Sequence, residues 1–148
     1  MKLAKRKLIF LGVILFVFFS VLLLNLFLSN KNDINYRTDI EPINSRFPML
    51  KNIQKVYWSS KVIDNRFGPI SYWIRGYVFL DQTSILNIKD IYSWETVNIK
   101  PKMKYDFKGK TQSWGYSEEF DNFIKASNYV GKFYLDLNGD SLYFEIEQ

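Results

Sequence analysis

The sequence contains no cysteine and no histidine. Without cysteine the chain has no disulfide bond, no thiol nucleophile and no thiolate metal site. Without histidine it lacks the side chain that most often serves as general base or metal ligand. We therefore expect no metal, no cofactor and no enzymatic activity, and any catalysis would have to rely on carboxylates.

Alanine is also scarce, since only Ala4 and Ala126 occur, whereas Lys, Asn, Ile, Phe and Tyr are common. This bias is typical of an AT-rich genome. None of the asparagines stands in an Asn-x-Ser/Thr acceptor for glycosylation, and disulfides are excluded, so a small eukaryotic secreted domain is not favoured. We expect a bacterial protein.

Charge is missing entirely between Leu8 and Leu28, a run of 21 residues. A helix of that length spans about 31 Å, which matches the hydrocarbon core of a bilayer. A cleaved signal peptide is the alternative, but its apolar region is usually about 7–15 residues long, and no small-x-small cleavage site follows here. The sequence predicts a retained transmembrane helix over residues 8–28. Asn25 could bond to a partner helix, or it is simply tolerated near the end of the span.

Basic residues flank this span unevenly, and Lys/Arg near a span favour the cytoplasmic side. Only Lys31 and Arg37 follow closely on the other side. We therefore expect residues 1–7 to be a cytoplasmic tail of a single-pass protein in the cell membrane, with the rest of the chain extracytoplasmic. The membrane-orienting residues are Lys2, Lys5, Arg6 and Lys7.

The net charge of +5 arises mostly before the span, because 16 Lys/Arg and 15 Asp/Glu remain after residue 30. A nearly neutral outer chain does not favour nucleic acid as a partner. Residues 29–50 are polar, aperiodic and interrupted by Pro42 and Pro48, so they predict a flexible linker. Residues 51–148 predict one extracytoplasmic domain.

Alternating patterns in that domain predict strands over residues 51–60, 70–80 and 95–110. A final hairpin is expected with a two-residue type I′ turn at Asn138-Gly139. Asp81 and Ser117 are predicted N-caps of two helices. The domain is therefore predicted to be α+β, with about five antiparallel strands in the order β-β-α-β-α-β-β and two helices packed on one face.

The long alternating run over residues 95–110 places lysines on the exposed face of a strand. Such a row could bind anionic lipid headgroups, the phosphates of an envelope polymer or an acidic protein partner. The alternative is a solvated strand face whose lysines prevent edge-to-edge pairing. The lysines concerned are Lys100, Lys102, Lys104 and Lys108, with Lys110 beyond them.

Aromatic residues make up 18% of the chain, and most are expected in the core. Trp114 and Tyr116 flank a glycine in a predicted connection, so they are expected to form an exposed aromatic rim for a peptide, glycan or protein. Arg75 lies between Trp73 and Tyr77 on a central strand. It is expected either to stack on those rings or to pair with a carboxylate.

Three weaker motifs do not indicate a metal site or a catalytic site. Residues 136–140 resemble the start of a calcium loop, but the glycine stands at the fourth position instead of the sixth and alternating residues flank it, so a turn is favoured. Glu118, Glu119 and Asp121 fit the first turn of a helix, where the helix dipole favours acids. Ser59-Ser60-Lys61 lacks the spacing of a serine–lysine catalyst.

These observations predict a membrane-anchored, non-enzymatic binding domain outside the cell. Its partners are the lipid bilayer and either a protein or an anionic cell-envelope polymer. A carboxylate-dependent envelope enzyme and an accessory subunit of a membrane complex remain the alternatives.

Overall fold

The structure is a computed structural model that describes residues 16–22, 36–63, 71–126 and 128–148. The chain divides into two units, Met1–Asn35 and Tyr36–Gln148. In the first unit, residues 16–22 are helical. Among the described residues, no helix is long and apolar enough to cross a membrane. The rest of the predicted span over residues 8–28, and the basic tail over residues 1–7, lie outside the described residues.

The second unit is an antiparallel sheet with helices, which confirms the predicted α+β class. The described residues form six strands, in the spatial order β1-β2-β6-β5-β4-β3. The strands are β1 (Ile53–Ile63), β2 (Ser71–Leu80), β3 (Glu95–Val97), β4 (Trp114–Tyr116), β5 (Val130–Asp136) and β6 (Ser141–Glu147). The helices of this unit are α1 (Glu41–Arg46), α2 (Gln82–Ile91) and α3 (Glu118–Ile124).

Both predicted N-caps are confirmed. The carboxylate of Asp81 accepts a hydrogen bond from the Ser84 N–H at 2.6 Å, and α2 begins at the next residue. The Ser117 hydroxyl accepts from the Phe120 N–H at 3.4 Å at the start of α3. Each cap satisfies a backbone donor that has no partner within the helix.

The folded unit begins earlier than the sequence predicts. Residues 36–50, predicted as part of a linker over residues 29–50, include α1 and contribute Ile43, Phe47 and Leu50 to the core, each no more than 2% exposed. Polar residues and two prolines interrupt the apolar pattern of this segment, so hydrophobic periodicity does not reveal its helix. A proline at the start of α1 is compatible with a helix, because the first N–H groups have no helical partner.

One face of the sheet packs against the helices. Apolar side chains from β1, β2, β5 and β6 meet Ile85 of α2 and Phe120 of α3 in a single cluster. The Phe47 ring lies 5.0 Å from that of Phe133 in an edge-on arrangement. This face explains why alternate residues of β2 and β6 are fully buried apolar residues.

The other face carries four tyrosines in register across β1, β2, β6 and β5. We call Tyr57, Tyr77, Tyr143 and Tyr134 the tyrosine row. Residues 98–113 lie over this face without joining the sheet, and we call them the cover segment.

The strand predicted over residues 95–110 is therefore wrong beyond Val97. The alternation is real, since Met103 is 1% exposed and Tyr105 and Phe107 pack on the tyrosine row, while the lysines between them face solvent. Extended backbone produces this alternation whether or not it pairs with a neighbouring strand, and Pro101 has no N–H for a ladder.

The terminal hairpin is confirmed, but its type I′ turn is not. A type I′ turn needs positive φ at both central residues, and neither Asn138 nor Gly139 has it. Instead, the Asp136 carboxylate accepts from the Asn138 N–H at 3.2 Å. From α2, the Lys89 ammonium donates to the carbonyls of Leu137 and Gly139 at 2.9 and 3.0 Å.

Candidate functional site

The five lysines of the predicted row all lie on the cover segment and are all exposed. They do not lie on a strand face, but they do share the outward side of an extended segment. Lys102 differs from the others, because its ammonium lies 3.0 Å from a carboxylate oxygen of Glu145 on β6. Lys100, Lys104, Lys108 and Lys110 form no ion pair within the part of the chain that the structure describes.

Hydroxyl groups of the tyrosine row hold the cover segment in place. Tyr77 donates to the carbonyl of Met103 at 2.7 Å. Tyr143 accepts from the Lys102 N–H at 2.9 Å and donates to the Glu145 carboxylate. These bonds satisfy backbone groups of a segment that has no ladder, so its lysines are presented from a fixed support.

Ionisation at this contact follows from burial and hydrogen bonding. Burial raises the pKa of Tyr77 and of Tyr143, so both hydroxyls remain neutral donors. Burial also opposes ionisation of Glu145, but the hydrogen bonds from Tyr143 and Lys102, together with the charges of Lys102 and Arg75, outweigh it and lower the pKa of Glu145. Glu145 is therefore an anion at neutral pH.

Charge is unevenly distributed around the sheet. The cover segment has five lysines and a single acid, Asp106. Across the sheet, Glu118 and Glu119 of α3 line a pocket of about 260 Å³ together with Glu95 of β3. The nearly neutral total charge of the residues after position 30 thus conceals a group of lysines on the cover segment and a group of acids at the pocket beside α3.

The predicted exposed aromatic rim is wrong for Trp114, which is buried. Tyr116 is only partly exposed. Trp114 is 7% exposed, because it lies in β4 with its ring 5.9 Å from that of Tyr143. Tyr116 is half-buried, and the Lys132 ammonium lies 4.4 Å from its ring centre. Gly115 suggested a loop, but here it belongs to a short strand.

A second site surrounds Arg75 on β2. Its guanidinium carbon lies 3.8 Å from the centre of the Trp73 ring, which confirms the stacking alternative. A pocket of about 240 Å³ opens beside it, lined also by Lys102 and Glu145. Within the described residues Arg75 forms no ion pair, and its buried Nε atom has no hydrogen-bond partner.

The carboxylate that would be expected to pair with Arg75 is engaged elsewhere. Glu145 faces Arg75 directly in the β2–β6 register. Its two oxygens instead accept from Tyr143 and contact the Lys102 ammonium. This orientation could not be inferred from the sequence, because it depends on where the cover segment lies.

The remaining catalytic and metal-binding candidates from the sequence either have structural roles or do not form a site together. Asp121 is 2% exposed, accepts from the Phe133 N–H at 2.8 Å and pairs with the Lys125 ammonium at 2.7 Å. Ser59 is buried, whereas Lys61 is exposed. Among the described residues, no group of three or more acids could hold a metal ion.

Comparison with known proteins gives no match to a family model, a curated protein or a solved structure. The proposals that follow rest on the burial, charge and contacts of this chain's own residues.

Proposed function

We propose that this chain is a single-pass, membrane-anchored binding protein whose cover segment contacts an anionic cell-envelope polymer outside a bacterial cell. Residues 8–28 serve as the anchor, and residues 1–7 remain in the cytoplasm. The uncharged run and the uneven distribution of basic residues around it support this orientation. The domain is not an enzyme in this proposal.

The observation that carries the proposal is the charge of the cover segment. Five exposed lysines and one exposed aspartate occur on a segment that hydrogen bonds hold against the sheet. Several cations on a fixed support attract a chain of repeated phosphates or carboxylates, and their contributions add. A flexible loop with the same lysines would lose more conformational entropy on binding.

Binding to a poly(glycerol phosphate) oligomer tests this proposal. The full chain in a non-ionic detergent is titrated against a fluorescently labelled oligomer, and anisotropy is recorded. The test variant changes Lys100 and Lys104 to Gln. The matched control changes Lys51 and Lys61 to Gln, which removes the same charge at exposed positions outside the cover segment. Lys102 is left unchanged because it contacts Glu145.

We expect the test variant to bind about thirtyfold more weakly, since each lysine near an anionic surface contributes about 1 kcal/mol. The control variant should bind within about twofold of the unchanged chain. Equal weakening of both variants would mean that total charge, rather than the cover segment, attracts the polymer. No binding by the unchanged chain would refute the polymer as the ligand.

A carboxylate-dependent envelope enzyme is the second candidate, and the pocket lined by Glu95, Glu118 and Glu119 favours it. Two carboxylates beside a bound substrate can act as acid and base. Hydrolysis of cell-wall material that is lost when Glu118 and Glu119 become Ala would support this reading. One reproducible protein partner after crosslinking on intact cells would instead support a role of this chain as an accessory subunit of a membrane complex.

A further inference from the structure

We infer that Arg75, stacked on Trp73, is a binding site for one oxyanion of a small hydroxylated ligand, such as an acidic sugar or a sugar phosphate. The site lies in the pocket of about 240 Å³ between β2, β6 and the cover segment. It shares only Lys102 with the polymer surface proposed above, and it does not depend on that proposal.

The chain contains a second Arg–Trp stack that shows what such a pair accepts. The guanidinium carbon of Arg37 lies 4.3 Å from the centre of the Trp58 ring. The Asp39 carboxylate fills its outer edge, with one oxygen 3.0 Å from the Arg37 Nε and the other beside a terminal nitrogen. A guanidinium that lies flat on an aromatic ring keeps its edge free for a two-pronged bond to an oxyanion.

Arg75 has the same stack without that anion. The two stacks have similar separations, 3.8 and 4.3 Å, but the structure assigns a carboxylate only to Arg37 among the described residues. The buried Nε–H of Arg75 has no hydrogen-bond partner among the described residues, and a buried donor is costly to leave without an acceptor. An arriving oxyanion would supply it.

The contacts with Tyr143 and Lys102 occupy both oxygens of Glu145, so this neighbouring carboxylate forms no ion pair with Arg75, although the two charges still attract each other. Both of those contacts favour the ionised carboxylate, which lies within the same pocket. The Lys102–Glu145 pair is close to neutral, so the guanidinium of Arg75, which is the other cation among the residues that line this pocket, is available to an arriving oxyanion.

The other walls restrict the rest of the ligand. Glu145 and Glu147, which neighbour Arg75 and Trp73 in the β2–β6 register, also line the pocket, and they accept rather than donate hydrogen bonds. Val130, which is 74% exposed, forms an apolar edge. A ligand that carries an oxyanion next to hydroxyl groups satisfies both the cationic and the anionic walls, whereas a simple polyanion would be repelled by the glutamates.

Titration of the full chain in a non-ionic detergent with two probes tests this inference. The probes are glucuronate, which carries a carboxylate, and glycerol 3-phosphate, and binding is followed by NMR shifts of the indole N–H signals. The variants are Arg75→Gln and Arg75→Lys. The matched control is Arg37→Gln, which removes the guanidinium from the other Arg–Trp stack.

We expect saturable binding of at least one probe, a tenfold or greater loss in both Arg75 variants, and a change of less than about twofold in Arg37→Gln. Arg75→Lys keeps the positive charge, so weaker binding by this variant would show that the two-pronged bond, and not charge attraction alone, holds the probe. A preference for one probe identifies carboxylate or phosphate as the natural group.

Three outcomes would overturn the inference: no saturable binding of either probe, equal loss in Arg37→Gln, or full binding by Arg75→Lys. Unfolding curves of each variant show whether it is folded. If Arg75→Gln proves unfolded, the comparison of Arg75→Lys with Arg37→Gln still decides the result.

Discussion

Asp121 and Asp136 are buried acids whose oxygens hold the backbone of neighbouring elements. Asp121 of α3 accepts from the Phe133 N–H of β5 and pairs with Lys125, which in turn donates to the carbonyl of Gly131. Asp136 accepts from the N–H of Ser113, which directly precedes β4, and from the N–H of Asn138 in the turn after β5. Burial therefore distinguishes these two structural acids from Glu118 and Glu119, which are exposed.

Replacing Asp121 with Ala should lower the free energy of unfolding by about 3–5 kcal/mol, because the Lys125 ammonium loses its only anionic partner among the described residues and the Phe133 N–H loses its acceptor. The side chains of Asp121 and Lys125 are 3% and 17% exposed, so water cannot fully replace the contact. Urea unfolding of the full chain in detergent measures the effect. The exposed Glu119→Ala is the control, with an expected change within about 0.5 kcal/mol. Equal stability of the two variants would contradict the structural role.

Replacing Gly139 with Val should lower the free energy of unfolding by about 1–3 kcal/mol. A Cβ atom at this position would lie 2.3 Å from an Asp136 carboxylate oxygen, so the turn or that carboxylate must shift. The reason is crowding, since the backbone of Gly139 does not have positive φ. Thermal unfolding measures the effect, with Asn138→Ala as the exposed neighbouring control. An unchanged melting temperature would contradict this packing of the turn.

Elements with a local signal were predicted well. The caps at Asp81 and Ser117 and the final hairpin each depend on residues close together in the sequence. The sequence predicted β3 only as the start of a longer strand. In contrast, α1 and the short strand β4 have few residues and no clear period. They exist because Phe47 and Trp114 are buried against distant strands, and tertiary packing of that kind leaves little trace in the local pattern.

The candidate sites were predictable to different degrees. Alternation correctly indicated that the lysines of the cover segment face outward, although it could not distinguish a strand from an extended segment lying on a sheet. The Arg75 stack on Trp73 was one of two alternatives. The free edge of Arg75 was not predictable, because it depends on Glu145 turning toward Lys102, which is 43 positions earlier in the chain.

Acid should loosen the contact between the cover segment and β6. The pKa of Glu145 is lower in the folded chain than its ordinary value of 4.5, so its ionised form stabilises the fold. This contribution is complete above the pKa of the unfolded chain and disappears as the pH falls through the folded pKa. We expect the stability difference between the unchanged chain and Glu145→Gln to be constant above about pH 5.5 and to shrink below it.

Unfolding curves across this pH range measure that difference, and Lys102→Gln provides a matched variant. Removing the Lys102 ammonium leaves Glu145 with the Tyr143 hydrogen bond, so the acid-dependent part should become smaller without vanishing. Parallel stability curves for the unchanged chain and Glu145→Gln over the whole range would show that Glu145 is not stabilised by these contacts.

For the folded unit as a whole, total charge is a poor guide to binding. The residues after position 30 carry 16 basic and 15 acidic side chains, yet five of the basic ones lie on the cover segment. Acids gather instead at the pocket beside α3. Such separation favours an oriented approach to a charged partner, and salt should weaken it because exposed charges are screened within about 10 Å at 0.1 M.

The absence of cysteine makes the proposed membrane orientation directly testable, since any introduced cysteine is the sole thiol of the chain. Lys5→Cys lies in the proposed cytoplasmic tail, and Asn122→Cys lies at an exposed position of α3. A maleimide that cannot cross membranes is added to intact cells. We expect it to label Asn122→Cys at once and Lys5→Cys only after the cells are permeabilised, because the basic tail favours the cytoplasmic side. The opposite pattern would invert the orientation, and release of labelled Asn122→Cys into the medium would show that residues 8–28 do not hold the domain at the membrane.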